Sequence, residues 1–213
     1  IRGEEPAELS PTLRDARSAG MELLFISRAE YQRKGEAQLA DDWRKRYGNV
    51  YTIPEGGAGI AGAKGMSLVG RALAKQLTGS FDSVCIACGT GTSLAGLAAG
   101  LVMAGRGNIP ALGFSVLKGE GSLGTSVATL YRKLLDAPGF GLTNLDDDGG
   151  DNWRLISGFH AGGYGKRLPP QLYEFWQAFD HQTGIPLDPV YTLKMMWGIQ
   201  QLALQNYWPR GTR

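Results

Sequence analysis

The 213-residue chain has only two cysteines and two histidines, and that scarcity removes several classes of protein. Two cysteines cannot build a disulfide framework, which points to a reducing compartment and a cytoplasmic location. They stand as Cys85-Ile86-Ala87-Cys88. A CxxC pair does redox work at a helix N-terminus, or binds zinc beside a second ligand pair. Here the first cysteine falls inside an apolar, strand-like run, and neither histidine stands at ligand spacing. Small apolar packing is therefore the expectation for both thiols, and no metal is expected. Strong charge is missing as well. A net charge of +2 gives no argument for nucleic acid or a membrane surface as partner. No run of about 18 apolar residues offers a bilayer span, and no repeat or low-complexity tract suggests a solenoid.

Glycine, by contrast, is abundant. The 32 glycines are about twice the ordinary ~7%, as expected of an α/β protein with many tight strand-to-helix turns. The periodicities alternate as in a parallel-sheet protein. Met21-Glu22-Leu23-Leu24-Phe25-Ile26 reads as a strand, residues 28–46 as a charged amphipathic helix, and Val50-Tyr51-Thr52-Ile53 as a second strand. Further helices are expected over 65–77, 94–101, 122–135, 169–180 and 189–205, the last two opening on prolines that a first helical turn tolerates. Further strands are expected over 83–87, 109–116 and 153–156. The run Asp146-Asp147-Asp148 with Asp151 lacks calcium-loop spacing because Gly149-Gly150 interrupt it, so a solvated loop is expected.

The strand over 83–87 leads into Cys88-Gly89-Thr90-Gly91-Thr92-Ser93 and then into a small-residue helix. Glycines let backbone N–H groups converge, hydroxyls add donors, and a helix N-terminus adds partial positive charge. That combination suits a phosphate dianion. The loop has neither a Walker A lysine nor dinucleotide-fingerprint spacing, and a plain glycine-rich turn is the alternative.

Three further segments accompany it. They are Tyr51-Thr52-Ile53-Pro54-Glu55-Gly56-Gly57 through Gly65, Gly162-Gly163-Tyr164-Gly165-Lys166, and Leu187-Asp188-Pro189-Val190-Tyr191-Thr192-Leu193-Lys194. In this order and spacing the four segments resemble the 1-aminocyclopropane-1-carboxylate deaminase and D-cysteine desulfhydrase family of pyridoxal-phosphate enzymes. The resemblance runs from Arg2-Gly3-Glu4-Glu5 to Tyr207.

It implies a tryptophan-synthase-β-like fold (fold type II), with two open α/β domains and pyridoxal 5'-phosphate in the cleft between them. Residues 1–57 would be the remainder of the smaller domain and 58–213 the larger one. Gly89, Thr90, Gly91, Thr92 and Ser93 match the family's phosphate loop. Tyr164 and Tyr191 match its two active-site tyrosines. Thr192 matches the cofactor-facing position that is Glu in the ring-opening deaminases and Thr in the desulfhydrases. The resemblance thus implies a lyase or deaminase of a small amino-acid substrate, acting as a homodimer. D-cysteine desulfhydrase-like β-elimination to pyruvate, ammonia and sulfide comes first, and 1-aminocyclopropane-1-carboxylate deamination is the alternative. A phosphate-binding domain of another kind, or a family member without catalysis, are the competing classes.

The family's Schiff-base lysine lies in an Asn-Lys-x-Arg-Lys-type motif that does not occur in this sequence, and neither do its Ser-Asn segment and its C-terminal His-Thr-Gly-Gly turn. The expectation is a fragment of a longer enzyme. Lys64, Lys166 and Lys194 are not taken as substitutes for that lysine, being read as solvated. His160, four residues before Tyr164, is read as structural.

Overall fold

The computed structural model describes the chain apart from residues 34–36, 77, 78, 80, 118, 119, 138–150, 165 and 166; in 37–40 and 120 it describes the backbone alone. Lys166 and the aspartate run at 146–148 thus lie outside the described residues. The chain forms two compact units, Ile1–Ile53 and Pro54–Arg213.

The first unit is helical and held by local polar contacts. Helix α1 (Pro11–Ser18) starts on Ser10, whose hydroxyl accepts from the Leu13 N–H at 3.4 Å. Helix α2 (Arg28–Gln32) opens on a capping box: Ser27 accepts from the Glu30 N–H, and Glu30 accepts from the Ser27 N–H. Helix α3 spans Ala37–Tyr47. The sequence suggested one helix over 28–46; the structure has two, α2 ending at Gln32. Strands over 21–26 and 50–53 do not form either. A strand needs a neighbour to take its N–H and C=O groups. Among the described residues the first segment finds only an isolated bridge between Arg2 and Ile26, and Tyr51 and Ile53 are exposed.

The second unit carries the sheet. Strands β1 (Val84–Cys88), β2 (Ala111–Ser115) and β3 (Trp153–Ile156) pair in parallel in that order. Helix α5 (Thr92–Met103) links β1 to β2, and α6 (Glu120–Leu135) follows β2. These elements follow the predicted alternation within a few residues. Parallel pairing needs crossover connections and buries both faces, and all five residues of β2 are buried. Gly113 and Phe114 point to opposite faces, as successive strand residues must. A side chain at Gly113 would run into Leu94 of α5, while Phe114 lies against Gly198 of α8 (Thr192–Leu204).

Helix α4 (Ile60–Gln76) begins five residues before its predicted start and packs on α5 with almost nothing between the backbones. A Cβ at Gly100 would meet the Ser67 carbonyl, and one at Gly70 would lie 2.6 Å from the Leu97 carbonyl. The main core gathers Leu94, Leu97, Leu101, Val127 and Leu134 from α5 and α6. A smaller one joins α7 (Pro170–Thr183) to α8 through Leu172, Leu187 and Leu193. Both cores serve to fix the carboxyl end of β1 and the start of α8, where the site residues gather.

Candidate active site

The first wall of the site is the turn after β1. Gly91 is the N-cap of α5 at φ +84°, a left-handed conformation that side chains resist. It also lacks room: a Cβ there would lie 2.7 Å from Val127 Cγ2 and 3.2 Å from Leu123 Cδ1. Having no side chain, Gly91 caps nothing. Among the described residues no side chain caps the first-turn N–H groups of α5, and the positive end of the helix dipole lies behind them.

The three hydroxyls of the loop divide in role. Thr92 is buried, accepting the Thr90 hydroxyl at 3.1 Å and the Gly59 N–H at 3.4 Å. It braces the loop from within. Thr90 and Ser93 are exposed and line a cavity of about 380 Å³ together with Gly56, Gly89, Tyr191 and Thr192. That volume falls in the range of small-ligand pockets.

The second wall is the start of α8. The Asp188 carboxylate accepts the N–H groups of Val190, Tyr191 and Thr192, all at 2.9 Å. It also accepts the Thr192 hydroxyl at 2.9 Å, while Thr192 Oγ1 accepts the Asp188 N–H at 2.9 Å. Burial acts to raise the Asp188 pKa, but these four hydrogen bonds outweigh it and hold the carboxyl below its ordinary value. Thr192 is thus both a wall of the cavity and part of a helix cap.

Tyr164, on the loop after β3, joins the site through Tyr191, which lines the cavity. Its hydroxyl lies 2.9 Å from that of Tyr191, with the rings tilted at 5.7 Å between centroids. Both phenols stand over Gly89: a Cβ there would lie 2.7 Å from the Tyr164 hydroxyl and 3.3 Å from Tyr191 Cε1. Burial first, then the hydrogen bond to Tyr191, pushes the Tyr164 phenol well above its ordinary pKa. At neutral pH it is a phenol, a donor and not a base. Thr90, Ser93, Tyr191 and Thr192 therefore line one cavity, with Tyr164 bonded to Tyr191 beside it, although about 100 residues separate the loop from Thr192.

Sequence reasoning missed what supports them. Asp188 enters the sequence reading only within a motif, although an Asp immediately before a helix expected from residue 189 is a recognisable capping signal. His160, by contrast, has the structural role expected of it: its Nδ1 accepts the Gly162 N–H at 3.0 Å and its carbonyl accepts the Gly163 N–H at 2.9 Å. Lys194 corrects an expectation outright. It is not solvated but 2% exposed on α8, because the helix turns it inward, and its Nζ donates to the Gly163 carbonyl at 3.1 Å. Lys64 is exposed on α4. Both cysteines are free, and burial raises each thiol to about 11, opposite to redox activation.

No family model matches the chain. The fold is that of a crystallised 1-aminocyclopropane-1-carboxylate deaminase homologue: a TM-score of 0.80 and 26% identity over 97% of this chain and 60% of that one. The class is thus the α/β fold of the pyridoxal-phosphate enzymes of type II. Among curated proteins, the chain is 30% identical over 172 residues to a putative 1-aminocyclopropane-1-carboxylate deaminase of Pyrococcus furiosus, covering 78% of this chain and 49% of that protein. It is 27% identical over 209 residues to the mitochondrial bifunctional D-cysteine desulfhydrase/1-aminocyclopropane-1-carboxylate deaminase of Arabidopsis thaliana, covering 93% and 49%. The chain is a homologue of the proteins that carry these two names, and it spans about half the length of the curated relatives it matches. No helix among the described residues is long and apolar enough to cross a membrane.

Proposed function

We propose that this chain supplies the phosphate loop and the two active-site tyrosines of a pyridoxal-phosphate-dependent lyase acting on small amino acids. The observation that carries the reading is the tyrosine pair over Gly89, of which Tyr191 lines one cavity with Thr90 and Ser93 at the start of α5. The residues suit the cofactor. A phosphate fits where N–H groups, Thr90 and Ser93 converge, since charge-assisted hydrogen bonds contribute roughly 1.5–3 kcal/mol each. Pyridoxal phosphate, when bound, supplies the electron sink for the pair released at the substrate Cα.

The chain's own groups supply the proton chemistry. The Tyr164 phenol, kept protonated by burial and by Tyr191, donates to a departing β-substituent or to the substrate carboxylate. Tyr191 shares its hydrogen bond and fixes its direction. Thr192 offers the cofactor ring at most a neutral hydrogen bond, because its hydroxyl is engaged by Asp188. A carboxylate at that position would keep a ring nitrogen protonated and deepen the sink. Expelling sulfide needs less from the sink than breaking a carbon–carbon bond does. The preferred reaction is therefore β-elimination: D-cysteine and water give pyruvate, ammonia and sulfide. The relatives' names keep ring opening of 1-aminocyclopropane-1-carboxylate as the second reading. A homodimer in the cytoplasm completes the proposal.

The test is a side-by-side assay of the full-length protein with pyridoxal phosphate, measuring 2-oxo acid release from D-cysteine, L-cysteine and 1-aminocyclopropane-1-carboxylate. D-cysteine should turn over fastest, and faster turnover of the cyclopropane would reverse the argument from Thr192. No turnover of any, with no cofactor bound, would sink the proposal.

A further inference from the structure

Lys194 is a costly choice for its position. It stands in the first turn of α8, where the helix dipole disfavours a cation, and it is 2% exposed in a place a leucine or methionine could fill. Burial lowers its pKa, and the Asp188 charge offsets this only in part. What an aliphatic residue could not do is reach the Gly163 carbonyl, 3.1 Å from Nζ. Gly163 is in the left-handed region at φ +97° and directly precedes Tyr164. Tyr191, three residues before Lys194, meets Tyr164 hydroxyl to hydroxyl at 2.9 Å. The links close a ring: α8 reaches the tyrosine loop once through Lys194 and once through the phenols, and His160 braces the same loop from within.

We propose that Lys194 is a positioning residue that sets the approach of Tyr164 to Tyr191 by tethering the Gly163 carbonyl to α8. Its bearing on catalysis rests on the function proposed above; the tether itself does not. Without the tether the loop keeps its local His160 contacts, but of these two links to α8 only the phenol contact remains, and that contact opens. Tyr164 then loses the two strongest influences on its ionisation, burial and the hydroxyl of Tyr191, and keeps weaker ones from Glu55 and Cys88.

The experiment is Lys194→Met in the full-length protein, with Tyr164→Phe and the double variant as references. Tyrosinate absorbance is followed against pH before any cofactor is added. The difference from the Tyr164→Phe titration reports the Tyr164–Tyr191 pair, which should begin to ionise at lower pH in Lys194→Met than in the parent. With pyridoxal phosphate, kcat should fall about tenfold or more, as misplacement near the chemistry does, while KM and cofactor affinity change little. Lys194→Gln, a neutral donor, should recover part of both readouts, and it decides the matter if Lys194→Met does not fold. An unchanged titration of the pair in both variants overturns the tether. A shifted titration with unchanged kcat, in Tyr164→Phe as well, keeps the tether and overturns the catalytic role of the tyrosines.

Discussion

Two helix N-termini face the same cavity, and they are finished in opposite ways. Helix α5 begins on Gly91, which has no side chain to cap it. Helix α8 begins under Asp188, whose carboxylate takes three backbone N–H groups and the Thr192 hydroxyl. Both ends carry the same partial positive charge, so the dipole alone does not distinguish them. The cap does. Helix α8 holds its anion within the chain, and helix α5 has no such cap among the described residues. A helix start is an anion site only when its own sequence declines to fill it.

The largest test removes the open end itself. Gly91→Ala combines a left-handed φ with a Cβ 2.7 Å from Val127, so it should destabilise the protein by about 2–4 kcal/mol. Denaturant unfolding measures this. A cost below about 1 kcal/mol would mean that the α5 end can relax, and that Gly91 is not there for steric reasons. For the same reason Gly91 is a poor choice for testing ligand binding, since folding and affinity would change together.

Asp188→Ala should uncap α8 and cost about 1–2 kcal/mol. The sign of its pH dependence follows from the lowered pKa. The contribution is fully present above the unfolded value near 3.8 and is lost as pH falls through the lower folded value. Acid unfolding curves should therefore show a smaller loss of stability below about pH 4 in Asp188→Asn than in the parent. Equal acid sensitivity would show that the carboxylate is not the cap.

Ser93→Asp sharpens the comparison most directly, because it gives α5 the kind of anion that α8 already has. Ser93 is exposed in the first turn, where an acid gains about 0.3–1 kcal/mol from the dipole. Thermal stability should hold or rise slightly, while pyridoxal-phosphate affinity falls about tenfold, near 1.4 kcal/mol. Titration of the cofactor's absorbance gives the affinity, and an unchanged value would remove the phosphate from this loop. The smallest effect belongs to an ordinary cap: Ser10→Ala at α1, an exposed bond of 3.4 Å, should cost about 0.5 kcal/mol and leave cofactor affinity unchanged.

The alternation of glycine-rich turns with apolar runs was enough to predict β1, α5, β2, α6 and β3, because a parallel βα unit is made of contacts local in the chain. The strand–turn–helix unit around Gly89–Ser93 was legible for the same reason: its parts lie within about ten consecutive residues. The strands expected at 21–26 and 50–53 were not, since pairing depends on a neighbour that a local pattern cannot reveal.

The sequence by itself determined which residue types stand at the site: glycine where the α5 end must stay bare, hydroxyls beside it, and a phenol at 164 and at 191. Only the tertiary structure decided how they are used. It turned Thr92 inward and left Ser93 outward, bound Thr192 to Asp188, and buried Lys194 against a carbonyl 31 residues away in the chain. Residue type follows local chemistry, whereas burial and partnership depend on segments distant in sequence meeting in space, and no local pattern encodes that meeting.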